Sequence, residues 1–597
     1  MQQANSADGG DPAGLGQPFT DRSPARPSSI HGSPARRRVG TLCLLGMLLA
    51  VPAAFASPGG GAAQPQMGWS SWSALRHDVS ETKIQAEAAA MNSSGLETAG
   101  YKFINIDDGW YLDGTTNVDS YGRWVVDSSK FPGGMAALAN YVHALGLKFG
   151  IYLTPGIPVE AYKNNSPIEG TAFHARDIVS DTTHYEKQYT WPSSMYFIDY
   201  AKNPAAAQAY VDSWARQLAS WGVDYLKFDG VGTPDSGDVV AWRKALDASG
   251  RTIHLGLSNS LDYNNGNLWR QNANSWRVEG DIECYCSTLT NWSQIARRFS
   301  DLPRWGRFAG PGGWNDPDSV EVGNGSHTGL TAEERRTQLT LWAASAAPLL
   351  LGADLTSLDT GDLALLTNNE VIAIDQAGNP AKPVSQASQQ QVWYAYNQAD
   401  GTYTVALFNL GGSEATVKAD WSALGFSGTA HVHDAWSKGA VGNFTDSFSA
   451  SVPSHGSRLL KVTPPKDSSV TSTLVSGATS LCIDNANSRT TPQPLAIWSC
   501  NGGANQNLTA SADGTVRVNG MCLDASGRGT APGTVVETFQ CNGQTNQQWQ
   551  FNADNTITGV QSGLCLDVQG GLTTSGNGTP LILWGCHGGL NQKWYRR

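Results

Sequence analysis

Three short apolar runs in this sequence end in charged residues: Ile104-Asn-Ile-Asp107-Asp108, Tyr225-Leu-Lys227-Phe-Asp229 and Trp276-Arg277-Val-Glu-Gly-Asp281. A single Asp after a strand is most often the N-cap of the next helix. Several strand ends carrying carboxylates, with Lys227 and Arg277 among them, are harder to explain as caps. Two separated carboxylates beside cations suit hydrolysis of a glycosidic bond. One would be a nucleophile kept ionised by a cation, the other a general acid with a raised pKa. The sequence holds no His/Cys spacing of a metal site and no Gly-rich phosphate loop, so the predicted chemistry calls for no metal and no cofactor.

A second set of polar residues lies beyond residue 480, in three units: Leu481-Cys-Ile-Asp484, Met521-Cys-Leu-Asp524 and Leu564-Cys-Leu-Asp567. Each unit then places an aromatic two residues before a second Cys (Trp498, Phe539, Trp584) and closes with Asn-Gln: Asn505-Gln506, Asn546-Gln547 and Asn591-Gln592. A short carboxylate can accept two sugar hydroxyls, an aromatic face stacks on the apolar side of a pyranose, and an amide fixes orientation. Gln506, Gln547, Gln592, Trp549 and Trp594 are expected to be core and turn residues instead.

The first set needs a scaffold that brings distant chain segments to one place. From about residue 67 to 380, short apolar runs alternate with helical patterns. Strands are predicted at Met67–Trp69, Phe103–Asp108, Lys148–Pro155, Val223–Asp229, Ile253–Asn259, Ser275–Asp281, Gly306–Gly310 and Pro348–Asp354. Helices are predicted at Thr82–Ala99, Met135–Leu145, Pro204–Trp221, Val239–Ala248 and Ala332–Ala346. Eight β/α units argue for a parallel (β/α)8 TIM barrel, which puts its chemistry at the C-terminal strand ends. Residues 384–462 alternate apolar and polar, as an antiparallel β-sandwich does. The expected organisation is a barrel over 57–383, the sandwich over 384–462, a Pro/Ser/Thr-rich linker over 463–473 and the threefold repeat over 474–597.

The whole chain has 597 residues, a net charge of −11 and only 15% charged residues. That acidic, apolar balance argues against nucleic acid as a partner. Arg36-Arg37-Arg38 precedes an apolar run, Val39 to Phe55, that ends in Ala54-Phe55-Ala56. This reads as a secretory signal over residues 1–56, through a general or a twin-arginine route, with a retained anchor as the alternative. A secreted mature chain with no membrane-spanning segment is the expectation. An exported protein meets oxidising conditions, so the six Cys beyond 480 read as disulfides in successive pairs: Cys482–Cys500, Cys522–Cys541 and Cys565–Cys586. Cys43 leaves with the signal, and Cys284 and Cys286 are expected as two thiols, because a Cys-x-Cys bridge is strained.

Residues 67–462 resemble glycoside hydrolase family 27, the α-galactosidases and α-N-acetylgalactosaminidases. The motifs that carry this are Met67-Gly-Trp-Ser-Ser-Trp72, Ile104 to Trp110, Tyr225 to Asp229, Trp276 to Ile282, Ala309-Gly-Pro-Gly-Gly-Trp-Asn-Asp-Pro-Asp318, Ala346 to Asp354 and Val371 to Gln376. Residues 474–597 resemble the ricin-B-type β-trefoil, family 13 of carbohydrate-binding modules. The first resemblance implies a retaining double displacement on an α-glycoside, with Asp229 as nucleophile and Asp281 as acid/base. Lys227 and Arg277 would bind hydroxyls and tune the carboxylates. Trp72, Asp107 and Asp108 would hold the C4–C6 side of the sugar, with Trp314 or Trp110 lining the pocket. The second implies sugar-binding roles for Asp484, Trp498, Asn505, Asp524, Phe539, Asn546, Asp567, Trp584 and Asn591.

The sequence departs from the family at Gly109, where Cys is common, at Gly230, where Asn is common, and at Ser258-Asn-Ser260, where galactose-specific members carry an acidic residue. Ser260 would then face the sugar's C2. The Asp107-Asp108 pair, able to chelate O4 and O6, leans towards galactose. The expected partners are α-galactoside oligosaccharides or polysaccharides. The activities left open are α-N-acetylgalactosaminidase, β-L-arabinopyranosidase and isomalto-dextranase, and, in another class, a lectin with an inactive barrel.

Overall fold

The computed structural model describes residues 62–112, 117–182, 185–188, 194–466, 468–552, 554–571 and 576–597. The expected export segment, 1–56, lies outside them. Among the described residues no helix is long and apolar enough to cross a membrane.

Strands buried on both faces read as continuous apolar runs, and eight such strands build the N-terminal domain. They are β1 (Met67–Ser70), β2 (Phe103–Ile106), β3 (Lys148–Leu153), β4 (Tyr225–Phe228), β5 (His254–Leu257), β6 (Ser275–Arg277), β7 (Trp314–Asp316) and β8 (Leu349–Leu351). All pair in parallel, in the order β7-β6-β5-β4-β3-β2-β1-β8. Val320, just past β7, bridges in parallel to Leu351 of β8 and closes the ring. The interior is tight. A Cβ on Gly150 would lie 1.9 Å from Asn105 Oδ1, and one on Gly256 2.1 Å from the Tyr225 hydroxyl. Only glycine lets the strands approach around these side chains.

Helices α1 (Glu81–Ser93), α2 (Gly134–Ala144), α3 (Pro204–Trp221), α4 (Ser236–Ala248), α5 (Gly266–Asn272), α6 (Trp292–Trp305) and α7 (Ala332–Ala344) intervene between the strands. Their ends follow from local chemistry. Asn203 caps α3 by accepting from Ala206 N, Pro204 opens it, and Gly222 ends it at φ 85°. Thr331 and Glu334 cap α7 reciprocally. The predicted single helix Thr82–Ala99 is broken at Gly95 (φ 91°), with a separate turn over Leu96–Ala99.

The seventh strand is not at Gly306–Gly310. Helix α6 runs to Trp305, and Gly310 and Gly312 take positive φ, so strand geometry is postponed to Trp314. The turn, not the apolar pair Phe308-Ala309, decides where pairing begins.

A six-stranded antiparallel sheet, with a separate pair (Ala415–Asp420, Ser447–Val452), follows the barrel. Tyr403, Val405, Leu407, Trp421, Val432 and Leu460 fill its core. The last of its strands ends at Thr463, and the next begins at Val470, inside the predicted linker, so the connection is only 464–469. Val470–Ser476 pairs with the C-terminal strand Trp594–Arg596 and closes the trefoil. Three bridges, Cys482–Cys500, Cys522–Cys541 and Cys565–Cys586, join the two halves of each repeat as expected. The trefoil is seated on its neighbours: Arg597 donates to Ala309 O (2.6 Å), Arg270 to Ser480 Oγ (3.2 Å) and Gln398 to Asn552 O (2.8 Å).

Candidate active site

The predicted residues converge at the C-terminal ends of the barrel strands. Residues two apart on a strand share a face, so β4 presents Lys227 and Asp229 together. The Lys227 ammonium donates to Asp107 Oδ2 at 2.6 Å. Asp107, only 2% exposed, also accepts from Ser70 Oγ (3.2 Å). Its own amide donates to Ser71 Oγ (2.9 Å). Burial opposes the Lys227 charge, but Asp107 and Asp229 outweigh it and hold the ammonium above its usual range. Burial likewise pushes the Asp107 carboxyl up, against the pull of Lys227. Asp229 is anchored by its amide, which donates to Leu153 O (2.8 Å), and Gly230 turns the chain away at φ 70°.

Asp108 accepts from the Tyr111 hydroxyl (2.7 Å) and lies 3.2 Å from His77 Nε2, which that bond raises in pKa. Trp72 sits beside it, edge-on to His77. On β6, buried Arg277 reaches Asp281 Oδ1 (3.1 Å) and Asp318 Oδ2 (2.8 Å). The second carboxylate was expected with a raised pKa. Burial does push Asp281 that way, but Arg277, the Tyr285 hydroxyl and Lys227 together hold it below the usual range.

Two expectations are corrected. Trp110 and Trp314 do not line a pocket. Both are fully buried and donate to backbone oxygens, of Tyr152 and Ala62. In the loop after β5, Ser258 lies 3.5 Å from Arg277 Nη1, and exposed Ser260 places its Oγ 3.4 Å from where a Cβ on Gly280, next to Asp281, would stand. Cys284 and Cys286 form a bridge rather than two thiols. Tyr285 between them turns left-handed (φ 48°), which brings their Cα atoms to 5.2 Å.

Sequence reasoning missed a buried acidic group behind Asp281. Ser73 Oγ lies 2.6 Å from Glu283 Oε1 and 2.8 Å from Glu321 Oε1. Burial, with Asp318 and Asp281 near, raises Glu283 to about 7. Asp316, on β7, is raised to about 6 by burial against the pull of Arg277. Asp316 and Asp318 stand inside a motif quoted above, but nothing in the spacing gave them a role. Ser73, Glu283 and Tyr285 carry no local signal, because their partners are remote in sequence.

In the trefoil the three predicted Asp are buried and held by amides. Asp484 accepts from Asn505 (2.7 Å) and Gln506 (2.8 Å), Asp524 from Asn546 (2.9 Å) and Gln547 (2.8 Å), and Asp567 from Asn591 (2.9 Å) and Gln592 (2.7 Å). Each glutamine is fully buried, as expected of a turn residue. Trp549 and Trp594 donate to Leu523 O and Leu566 O in the core. Leu508, at the matching place in the first repeat, fills core space without that bond. Trp498 and Trp584 are 47% and 45% exposed, and Phe539 is half-buried.

Comparison with known proteins agrees with this division. Residues 64–240 match the family described as melibiase and 198–377 that described as alpha galactosidase A. Residues 387–462 match the alpha galactosidase C-terminal β-sandwich domain, and 470–594 the ricin-type β-trefoil lectin domain. Alpha-galactosidase 2 of Arabidopsis thaliana is 34% identical over 412 residues, 68% of this chain and 91% of that protein. The alpha-galactosidase of Coffea arabica is 36% identical over 407 residues, 67% and 94% of the two chains. Among solved structures, a family 27 β-L-arabinopyranosidase from Geobacillus stearothermophilus superposes with a TM-score of 0.62 at 32% identity, over 68% of this chain and 97% of that one. Alpha-galactosidase I from Mortierella vinacea gives 0.54 at 30%, over 67% and 97%.

Proposed function

The chain belongs to glycoside hydrolase family 27, and we propose that within it the protein is an exported, exo-acting, retaining α-galactosidase held on polysaccharide by its lectin module. The observation that carries this reading is the Lys227 ammonium bound to Asp107 beside Asp229 at one set of strand ends. A cation there stabilises a carboxylate nucleophile and a hydroxyl-binding carboxylate together.

In the first step Asp229 attacks the anomeric carbon and forms a glycosyl ester. The leaving oxygen takes the proton of Asp281. In the second, Asp281 takes a proton from water, which attacks the same carbon and frees Asp229. Asp107 and Asp108 accept hydroxyl donors from the C4–C6 side, and Trp72 closes that edge. The export signal read in residues 1–56 agrees with four disulfides in the described chain.

A panel of p-nitrophenyl glycosides with dextran tests the assignment, with NMR of the first-formed anomer. The expected result is preference for α-galactoside and release of α-galactose. Release of the β-anomer would sink the mechanism. A β-L-arabinopyranosidase is the second reading, favoured by the TM-score of 0.62 to the enzyme of that activity. That sugar lacks the C6 hydroxymethyl, so preference for its glycoside would show that Asp108 does not bind O6.

A further inference from the structure

The loop after Asp281 has no part in the reaction as described, yet it touches the reacting group. The Tyr285 hydroxyl donates to Asp281 Oδ2 at 2.5 Å and accepts from Trp72 Nε1 at 3.1 Å. The ring is 60% exposed at the mouth of the barrel. Its back is covered by the Arg76 guanidinium, 4.8 Å from the Tyr285 centroid and 5.1 Å from that of Trp72. Arg76 in turn lies 3.6 Å from Glu283. A bulky residue at φ 48° is uncommon and persists where the surroundings hold it. The Cys284–Cys286 bridge spans that residue. Both sulfurs pack on Thr288, 3.2 and 3.7 Å from its carbonyl oxygen. Cys284 N donates to Leu289 O (3.1 Å), so the bridged turn is tied at its far side as well.

We propose that Tyr285 is a positioning residue for the acid/base: its hydroxyl fixes Asp281 beside Arg277 until a leaving-group oxygen takes its place, and the Cys284–Cys286 bridge sets the turn that presents it. This rests on the reading of Asp281 as acid/base. The geometry limits what else sets that carboxylate. Arg277 faces it from β6 and Lys227 from β4, both favouring its charge. Asp318, from beyond β7, and Glu283, on its own loop, oppose that charge, with carboxylate oxygens clustered within 4.8 Å. Tyr285 supplies a directional donor on the open side, where an aglycone must enter. Its ring, with Trp72, then forms the surface an aglycone meets.

The test is Tyr285→Phe, which keeps the ring and removes the donor. The alkaline limb of kcat/KM is expected to move up by about one pH unit, because a donor that favours the carboxylate is gone. Hydrolysis of an unactivated galactoside such as raffinose should fall about tenfold at the optimum, while p-nitrophenyl α-galactoside, which needs little protonation, should fall less than threefold. Cys284→Ala/Cys286→Ala, with Tyr285 intact, should move both readouts in the same direction by less. An unmoved limb, or equal loss on both substrates, in Tyr285→Phe overturns the proposal. Asp281→Ala separates this from failure of the underlying reading. If that variant loses the unactivated substrate but regains turnover of the p-nitrophenyl substrate with azide, giving the α-glycosyl azide, the acid/base reading stands whatever Tyr285→Phe does. Wild-type turnover of raffinose by Asp281→Ala would remove both.

Discussion

The barrel and the trefoil both gather carboxylates at the positions proposed to face sugar, but they surround them with different neighbours. In the barrel, Asp107 meets Lys227 at 2.6 Å and Asp281 meets Arg277 at 3.1 Å. In the trefoil, the Asp484 side chain meets the amides of Asn505 and Gln506 and the backbone N–H of Ala486, and Asp524 meets the amides of Asn546 and Gln547. An amide orients a carboxylate without adding net charge. A guanidinium or ammonium also shifts where it titrates. The trefoil therefore has what fixed recognition needs, and the barrel has what proton transfer and nucleophilic attack need. The third trefoil carboxylate, Asp567, also has the His587 ring 3.5 Å away.

The sharpest way to break this contrast is Asp229→Asn. It should lower turnover about a thousandfold or more while retention on galactan stays unchanged. A variant that also released polysaccharide would mean the barrel, not the trefoil, holds the polymer.

The two regions should also come apart in stability. The barrel rests on a large apolar core, the trefoil on a small one with three bridges. Cys565→Ser/Cys586→Ser should cost about 3 kcal/mol in the trefoil alone. Calorimetry should show an early transition split from the barrel's, with small-substrate activity outlasting it. A single shifted transition would show that the trefoil's seat on the barrel couples them fully.

Lys227→Met should lower kcat/KM about a hundredfold, since it leaves Asp107 and Asp229 facing one another without a cation. The sign of its pH effect follows. The ammonium opposes protonation of Asp107, so without it the acidic limb of the profile should move to higher pH. An unchanged limb would make Lys227 a hydroxyl ligand only. The smallest effect belongs to the exposed trefoil rings. Trp498→Ala and Trp584→Ala should each cost about 1 kcal/mol of sugar stacking, roughly a fivefold loss of retention, with turnover of p-nitrophenyl substrate unaltered.

The sequence is legible where the chemistry is local. Lys227 and Asp229 lie two apart on a buried strand, and the trefoil pairs recur with their own spacing. Both arrive where expected. It is not legible where a contact joins remote segments. Ser73 reaches Glu283 and Glu321 across 210 and 248 positions. Trp110 and Trp314, in motifs rich in site residues, point into the core because their indole N–H groups find buried carbonyls instead. The seventh strand was lost because two glycines after α6 delay it. The Cys-x-Cys bridge depends on one left-handed residue, which no composition reveals.

The seat of the trefoil has a consequence for reach. Ala309 and Arg270 lie on segments that lead into β7 and β6, which is the end of the barrel away from Asp229 and Asp281. The connection from Thr463 to Val470 is seven residue steps, at most about 25 Å even if pulled straight. The lectin cannot swing round to feed the mouth with the strand it grips. On the proposed function, it would moor the enzyme from behind and leave the mouth to crop the ends of neighbouring chains that drift into range.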